Sequence, residues 1–162
     1  MIERTLVLLK PDAVQRGVQG RILSRFEDAG FKMVGMKMTW VTEEFARKHY
    51  ADLGQRRGKA VQDAMVKVLS AGPVLACCFE GVDAAENIRK MVGNTEPKSA
   101  LPGTIRGDFA HVSFAYADKK GKGIENLIHA SGNAPEAQQE IKLWFTDKEL
   151  HSYKTVHEVH VF

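Results

Sequence analysis

The sequence predicts an α+β fold in which helices pack on a single antiparallel sheet, and three observations point there. Short apolar runs alternate with amphipathic helical stretches in the order strand, helix, strand, helices, strand, helix, strand, helix. The run 33-MVGMKMTW-40 has period two, with Val34, Met36, Met38 and Trp40 on one side and Gly35, Lys37 and Thr39 on the other. Strict alternation belongs to a strand with one covered face, which argues against an all-parallel sheet buried on both faces. Finally, no repeat, low-complexity tract or linker divides the 162 residues, a length that suits one domain with a real core, taken as 1–162.

Each element has its own signature. The continuous apolar run 5-TLVLL-9 reads as a central strand that ends at Lys10-Pro11, because proline cannot continue a ladder. In 20-GRILSRFEDAG-30, Ile22, Leu23, Phe26 and Ala29 share a helical face and Gly30 stops it. Thr42 followed by Glu43 and Glu44 starts a helix leading to Phe45, His49 and Tyr50. The stretch 54-GQRRGKA-60 reads as a polar loop, and Val61, Ala64, Met65, Val68 and Leu69 form the next helical stripe. The strand 73-PVLACCFEG-81 follows, then a helix opened by a capping-box-like Asp83/Glu86 pair, carrying Ile88, Met91 and Val92 and ending at Gly93. Residues 94–107 read as a long ordered loop. A fourth strand is expected over 109-FAHVSFAYA-117, with a turn-prone DKKGKG behind it, and Asn133 and Pro135 open a last helix with Ala137, Ile141, Trp144 and Phe145 inward. The sum is a ferredoxin-like antiparallel sheet with a βαββαβ core.

Composition excludes several functions. A formal charge of +3 is too small for nucleic acid or an anionic membrane to be the main partner, though it allows a local basic pocket. Nothing in the chain suits a membrane span or a signal-peptide core. The two cysteines, Cys77 and Cys78, are adjacent on a strand and point to opposite faces, so they read as buried, reduced residues suited to the cytoplasm.

The candidate chemistry centres on 124-IENLIHASGN-133. Neutral imidazole is a nucleophile near neutral pH, so His129 could react, but it is one of six histidines and could equally be a packed ring. A reactive histidine needs a partner that fixes its tautomer. Ser131 and Asn126 are close in sequence, and Glu136 or Glu140 in the following helix could hold the ring. Neither GxxxxGK[ST] nor GxGxxG occurs, so a phosphate would have to be held by side chains. Lys10, Arg89, Thr95 and Arg106 stand where elements end and have suitable donors, although each alone could be a solvated surface group.

The pieces 4-RTLVLLKPDAVQRG-17, 49-HY-50, 72-GPV-74, 89-RKMVGNTEPKSALPGTIRGDF-109, 126-NLIHAS-131 and 140-EIKLWF-145 together resemble the nucleoside diphosphate kinases over nearly the whole chain. The resemblance implies ping-pong transfer of the γ-phosphoryl group of a nucleoside triphosphate, typically ATP, to a nucleoside diphosphate through a phosphohistidine. By motif, His129 is the phosphorylated residue. Lys10, Arg89, Thr95 and Arg106 contact the phosphates, and Asn126 with Lys10 reaches the sugar 3′-hydroxyl. Tyr50 stands near the histidine, and Ser131 and Glu140 support it. Mg2+ is implied on the nucleotide phosphates rather than on protein ligands, as is assembly into a homo-oligomer.

The chain departs from the family pattern in three places. The region 51–67 lacks the aromatic that usually stacks on the base, so the base platform is unassigned. HASG replaces HASD, leaving Asn133 to cap the next helix. The link 110-AHVSFAYADKKGKGIE-125 is longer than usual, suggesting a hairpin-like tip at the nucleotide or a subunit contact. Arg56, Arg57 and Lys59 are expected to clamp a polyanion. The alternative function is a nucleotide-binding regulatory relative without turnover.

Overall fold

A computed structural model describes all 162 residues. The strand β1 (Ile2–Leu9) runs straight into α1 (Pro11–Gln15), with Pro11 at the first helical position, where a missing N–H costs nothing. Helix α2 (Gln19–Asp28) buries Ile22 and Phe26 and stops at Gly30, whose φ is +84°. Then come β2 (Lys32–Thr39) and α3 (Glu43–His49), where Thr42 Oγ1 accepts the Phe45 N–H at 3.2 Å as foreseen. The stretch expected as a loop is instead α4 (Leu53–Arg57), continuing into α5 (Lys59–Ser70) after Gly58. The buried centre of α5 is Val66 and Leu69, while Val61 is exposed.

Next are β3 (Val74–Val82) and α6 (Ala84–Val92). Asp83 precedes α6 at φ 45° without capping it; its carboxylate pairs with the N-terminal ammonium at 2.6 Å instead. A 3-10 turn at Pro97–Ser99 and the short α7 (Ile105–Phe109) break up the expected long loop. Over 109–117 there is no strand. Phe109 ends α7, and Ser113 caps α8 (Phe114–Lys119), so the inserted tip is helical rather than a hairpin. The fourth strand is β4 (Ile128–Ala130), only three residues long and centred on His129. Then come α9 (Ala134–Trp144) and, at the C-terminus, α10 (Glu158–Val161).

The sheet is antiparallel with order β2-β3-β1-β4, the α+β, ferredoxin-like arrangement expected from the sequence. Its two faces bury separate cores. Val7, Leu9, Leu75, Cys77 and Phe79 pack with α2 and α6 on one side. Leu6, Leu8, Ala76 and Cys78 pack with α3, α5 and α9 on the other. The neighbouring cysteines therefore lie on opposite faces; both are free, and burial pushes both thiols up to about 12. Cross-strand partners share a face. Leu8 pairs with His129, which turns the histidine towards the α3/α9 side, whereas Ile128 and Ala130 pair with Leu9 and Val7 on the other.

The residues after α9 return along β2. The His151 N–H donates to the Val34 carbonyl at 2.7 Å and the Tyr153 hydroxyl to that of Met33 at 2.5 Å. Gly35 makes this passage possible, since a Cβ there would lie 2.8 Å from Leu150 Cδ2. The alternation predicts Val34 on one side with Met36, Met38 and Trp40, but a bulge between Met33 and Gly35 shifts the register. Val34 is buried in the α3/α5/α9 core, while Met36 and Met38 pair with Cys77 and Leu75 on the opposite face and are 54% and 57% exposed. Trp40, just past the strand, is 67% exposed.

Candidate functional site

His129 is held by hydrogen bonds that its sequence neighbours provide. Its Nε2 lies 2.8 Å from Glu140 Oε1, and Ser131 Oγ donates to Glu140 Oε2 at 2.6 Å. Ser131 is in turn fixed to β1, where its Oγ accepts the Leu6 N–H at 3.2 Å. Glu140 shares the buried face of α9 with Ala137, Ile141 and Trp144, and Asn133 caps that helix by accepting the Glu136 N–H at 2.9 Å. Of the two glutamates considered, Glu140 therefore orients the ring, and Asn133 takes the capping role that Gly132 leaves open.

Burial works to raise the Glu140 pKa, but the His129 hydrogen bond, the nearby imidazoles and Ser131 outweigh it and hold the carboxyl below its ordinary value. An ionised carboxylate can only accept, so the His129 nitrogen facing it carries the proton. That leaves a lone pair on Nδ1, the arrangement a nucleophilic imidazole requires.

His49 packs edge-on against His129, with ring centroids 4.6 Å apart at 86°. Trp144 Nε1 donates to its Nδ1 at 3.2 Å, and burial drives its pKa down to about 3. His49 is therefore a neutral neighbour that adds no positive charge beside His129. Sequence reasoning placed it only on an apolar helix face; the clue available was its position directly before Tyr50. Tyr50 is buried against His49, with centroids 4.7 Å apart, and burial raises its phenol so that it stays protonated.

The cations converge from three elements. Lys10 follows the last residue of β1, is 1% exposed, and donates from Nζ to the Ile124 carbonyl at 3.3 Å. Burial lowers its pKa to about 8, with Asp12 opposing the shift and Arg106 adding to it. Arg106, on α7, donates to the carbonyls of Asn126, Gly93 and Ile128 at 3.2, 3.1 and 2.5 Å. Burial, then Arg89, lowers its pKa to about 10, so it remains charged at neutral pH. Arg89 lies in the last turn of α6 and is exposed. Gly93 ends that helix with φ +85°, where a Cβ would stand 2.5 Å from Thr104 Oγ1. Thr95 follows, and its carbonyl accepts the Asn126 side-chain N–H at 2.7 Å.

His129, Glu140, Tyr50, Lys10, Arg89, Thr95, Arg106 and Asn126 all line one cavity of about 850 Å³, a size that accommodates a nucleotide-sized ligand. Ser131 is fully buried behind Glu140. Arg56 and Arg57 reach the rim from α4, but Lys59 does not. Like His49, Asp12 was missed from sequence; its Oδ2 accepts the Leu127 N–H at 2.8 Å and so positions the start of β4. A basic cavity with an oriented imidazole on its wall is suited to accepting a phosphoryl group and stabilising its oxygens.

The sequence profile described as Nucleoside diphosphate kinase matches residues 3–150. This chain belongs to the nucleoside diphosphate kinase family. The family is one of phosphotransferases. A nucleoside diphosphate kinase from Borreliella burgdorferi is 47% identical over 156 residues, covering 95% of this chain and 93% of its own. One from Pyrococcus abyssi is 49% identical over 152 residues, covering 93% and 89%. Among solved structures, a transition-state mimic of the Borrelia burgdorferi enzyme with bound vanadate and ADP superposes with a TM-score of 0.96 at 46% identity, covering 99% of this chain and 96% of that one. An NDP kinase from Pyrobaculum aerophilum reaches 0.87 at 35% identity, covering 94% and 100%.

Proposed function

We propose that this nucleoside diphosphate kinase family member works by ping-pong transfer through a phosphohistidine at His129 Nδ1. In the first half-reaction Nδ1 attacks the γ-phosphorus of a nucleoside triphosphate, typically ATP. The N–P bond forms as the bond to the β,γ-bridging oxygen breaks, and a nucleoside diphosphate leaves. In the second, a terminal oxygen of another nucleoside diphosphate takes the phosphoryl group and restores the imidazole. The observation that carries this reading is the 2.8 Å contact of Nε2 with Glu140, which leaves the other nitrogen to a cavity lined by Lys10, Arg89 and Arg106. Those cations, with Thr95, hold the phosphate oxygens, and Asn126 and Lys10 meet the sugar hydroxyl. Tyr50 supplies a protonated phenol beside the reacting ring.

The donor set speaks to the metal as well. Glu140 is committed to His129 and Ser131, and the group His49, His129 and Glu140 offers nitrogen donors where Mg2+ demands oxygens. The residues fit Mg2+ carried on the nucleotide phosphates, where it would neutralise charge, and not held by the protein. Partners are thus nucleoside di- and triphosphates. No helix is long and apolar enough to cross a membrane. Two buried free thiols suit the reducing cytoplasm, to which we assign the chain. The exposed Met36 and Met38 on the edge strand, with Trp40 just beyond its end, support a homo-oligomer, because such an apolar edge invites a second copy.

Incubation with ATP labelled at the γ-phosphate tests the reading. A base-stable, acid-labile phosphoprotein should form, and His129→Ala should abolish it while keeping the fold. A binding-only relative would show no label. Label persisting in the variant at the wild-type rate would move the reaction to another histidine. Among the other histidines, His111 is exposed and does not line the cavity.

A further inference from the structure

The cavity wall carries two kinds of residue. Besides the cations and His129, where the phosphates would sit, it holds Leu53, Val61 and Met65 from α4 and α5 and Phe114 from α8. The base of a nucleotide whose phosphates meet the cations must rest against the apolar part, and a planar heteroaromatic ring is poorly served by aliphatic walls alone. Tyr50 cannot offer a ring face there, being buried and packed against His49. Phe114 can, because it is the only phenylalanine on the cavity wall and is 42% exposed.

A single exposed phenylalanine on a helix needs no functional explanation by itself. Here the backbone that carries it is anchored to the nucleotide side of the site. The Phe114 N–H donates to Glu96 Oε1 at 2.9 Å, and the other carboxylate oxygen of Glu96 accepts from Ser99 Oγ at 2.7 Å. The Lys98 N–H bonds the Val112 carbonyl at 3.1 Å, and Ser113 caps α8 by accepting the Tyr116 N–H at 3.2 Å. Ala117, 1% exposed, anchors the helix from below. The backbone that carries the ring is thus tied to Glu96 and Lys98, in the segment that follows Thr95.

Resting on the proposed nucleotide chemistry, we infer that Phe114 is the base-stacking residue of this site, supplied by the inserted helix α8 in place of an aromatic from 51–67. Stacking on one ring face is sequence-tolerant, since every base has a π-face, so purines and pyrimidines are both accepted. Hydrogen-bonded reading of a base edge would discriminate far more strongly.

The experiment compares ADP and CDP, which carry a base, with inorganic tripolyphosphate, which carries only the charges and acts as a competitive inhibitor. Phe114→Ala should raise the KM of ADP and CDP about tenfold, more for the larger purine, with kcat at saturation retained. Its tripolyphosphate inhibition constant should stay within about twofold of the wild type. Phe114→Tyr should restore the KM values, and Phe114→Trp should give fluorescence, beyond that of Trp40 and Trp144, that ADP and CDP quench and tripolyphosphate does not. Unchanged KM values in Phe114→Ala would overturn the inference. So would an equal weakening of tripolyphosphate, which would make the ring a mere prop for the Thr95 segment. The two readings fail separately. Absence of γ-phosphate labelling in the wild type sinks the nucleotide chemistry, whereas normal labelling with an indifferent Phe114→Ala sinks only the stacking role.

Discussion

Replacing Glu140 by glutamine removes one charge and almost no volume, which isolates what the carboxylate contributes. In the protein Glu140 joins His129 Nε2 at 2.8 Å and Ser131 Oγ at 2.6 Å. A glutamine can keep both contacts if its carbonyl faces the imidazole and its amide faces Ser131. The serine hydrogen then turns to the Leu6 carbonyl, 3.5 Å away. What is lost is the charge-assisted part of the bond, about 1–2 kcal/mol for a partner that gains positive character as Nδ1 attacks phosphorus. Transfer should slow by roughly 5–30-fold on that ground alone. If the amide turns the other way, its N–H2 faces Nε2 and forces the ring proton onto Nδ1, which blocks the nucleophile and deepens the loss. Quench-flow measurement of phosphoenzyme formation from γ-labelled ATP, beside equilibrium binding of ADP, reads both quantities. The rate should fall by about 10–100-fold, with ADP affinity changed less than twofold. A weakened ADP affinity with an unchanged transfer rate would refute the orienting role and make Glu140 part of the binding surface.

Three further outcomes follow from the same structure. Burial lowers the Lys10 pKa to about 8, and the proposed function has its charged form bind phosphate, so kcat/KM should decline through about pH 8 on the alkaline side and the decline should vanish in Lys10→Met. The folded value lies below the ordinary 10.5, so the cost of keeping Lys10 charged is fully present below pH 8 and is relieved between 8 and 10.5; Lys10→Met should raise thermal stability at pH 7 by up to about 3 kcal/mol, and a loss would contradict the burial argument. On the edge strand, light scattering should give the wild type at least twice the 18.0 kDa of one chain, and Met38→Lys should lower that mass; a wild type of 18.0 kDa would rule out the edge as a subunit contact.

The elements that were legible in the sequence are those whose apolar period is long. β1, α2, β3 and α9 each carry enough turns or alternations to reveal the buried face. β4 has three residues, too few to show any period, and its burial comes from pairing with Leu9, Leu8 and Val7 far away in the chain. The misassigned 109–117 stretch alternates in composition, but Ser113 offers its side chain to the Tyr116 N–H and turns the chain into a helix there. In β2 the alternation put Met36 and Met38 on one side, but it also put Val34 with them, and the bulge between Met33 and Gly35 sends Val34 to the opposite face. Periodicity reports a face and says nothing about whether anything covers it. The choice between Glu136 and Glu140 was open to helical arithmetic, because Glu140 lies three residues after Ala137 and four before Trp144, on the inward face. The neutral His49 was not legible. Its environment is assembled from α3, α9 and β4, which no local pattern joins.

The shortness of β4 also changes how the basic residues should be understood. Phosphoryl transfer depends mostly on positioning, yet the strand bearing His129, the proposed nucleophile, has too few ladder bonds to fix itself. Its rigidity comes from the side chains around it. Arg106 binds the carbonyls of Asn126 and Ile128 on either side of Leu127, and Asp12 receives the Leu127 N–H. Leu127 is held at φ 72°, a conformation that costs a non-glycine residue about 1–3 kcal/mol and persists only where its surroundings over-determine it. Arg106 therefore has two physical jobs. Its positive charge faces the cavity, and its fork of donors clasps the backbone that aims His129. A lysine would keep the charge and lose the fork, since an ammonium cannot reach three carbonyls from the plane of a guanidinium. On the proposed function, the same side chain ties the site's affinity for anions to the placement of His129, and at a pKa lowered only to about 10 it does so as a cation at neutral pH.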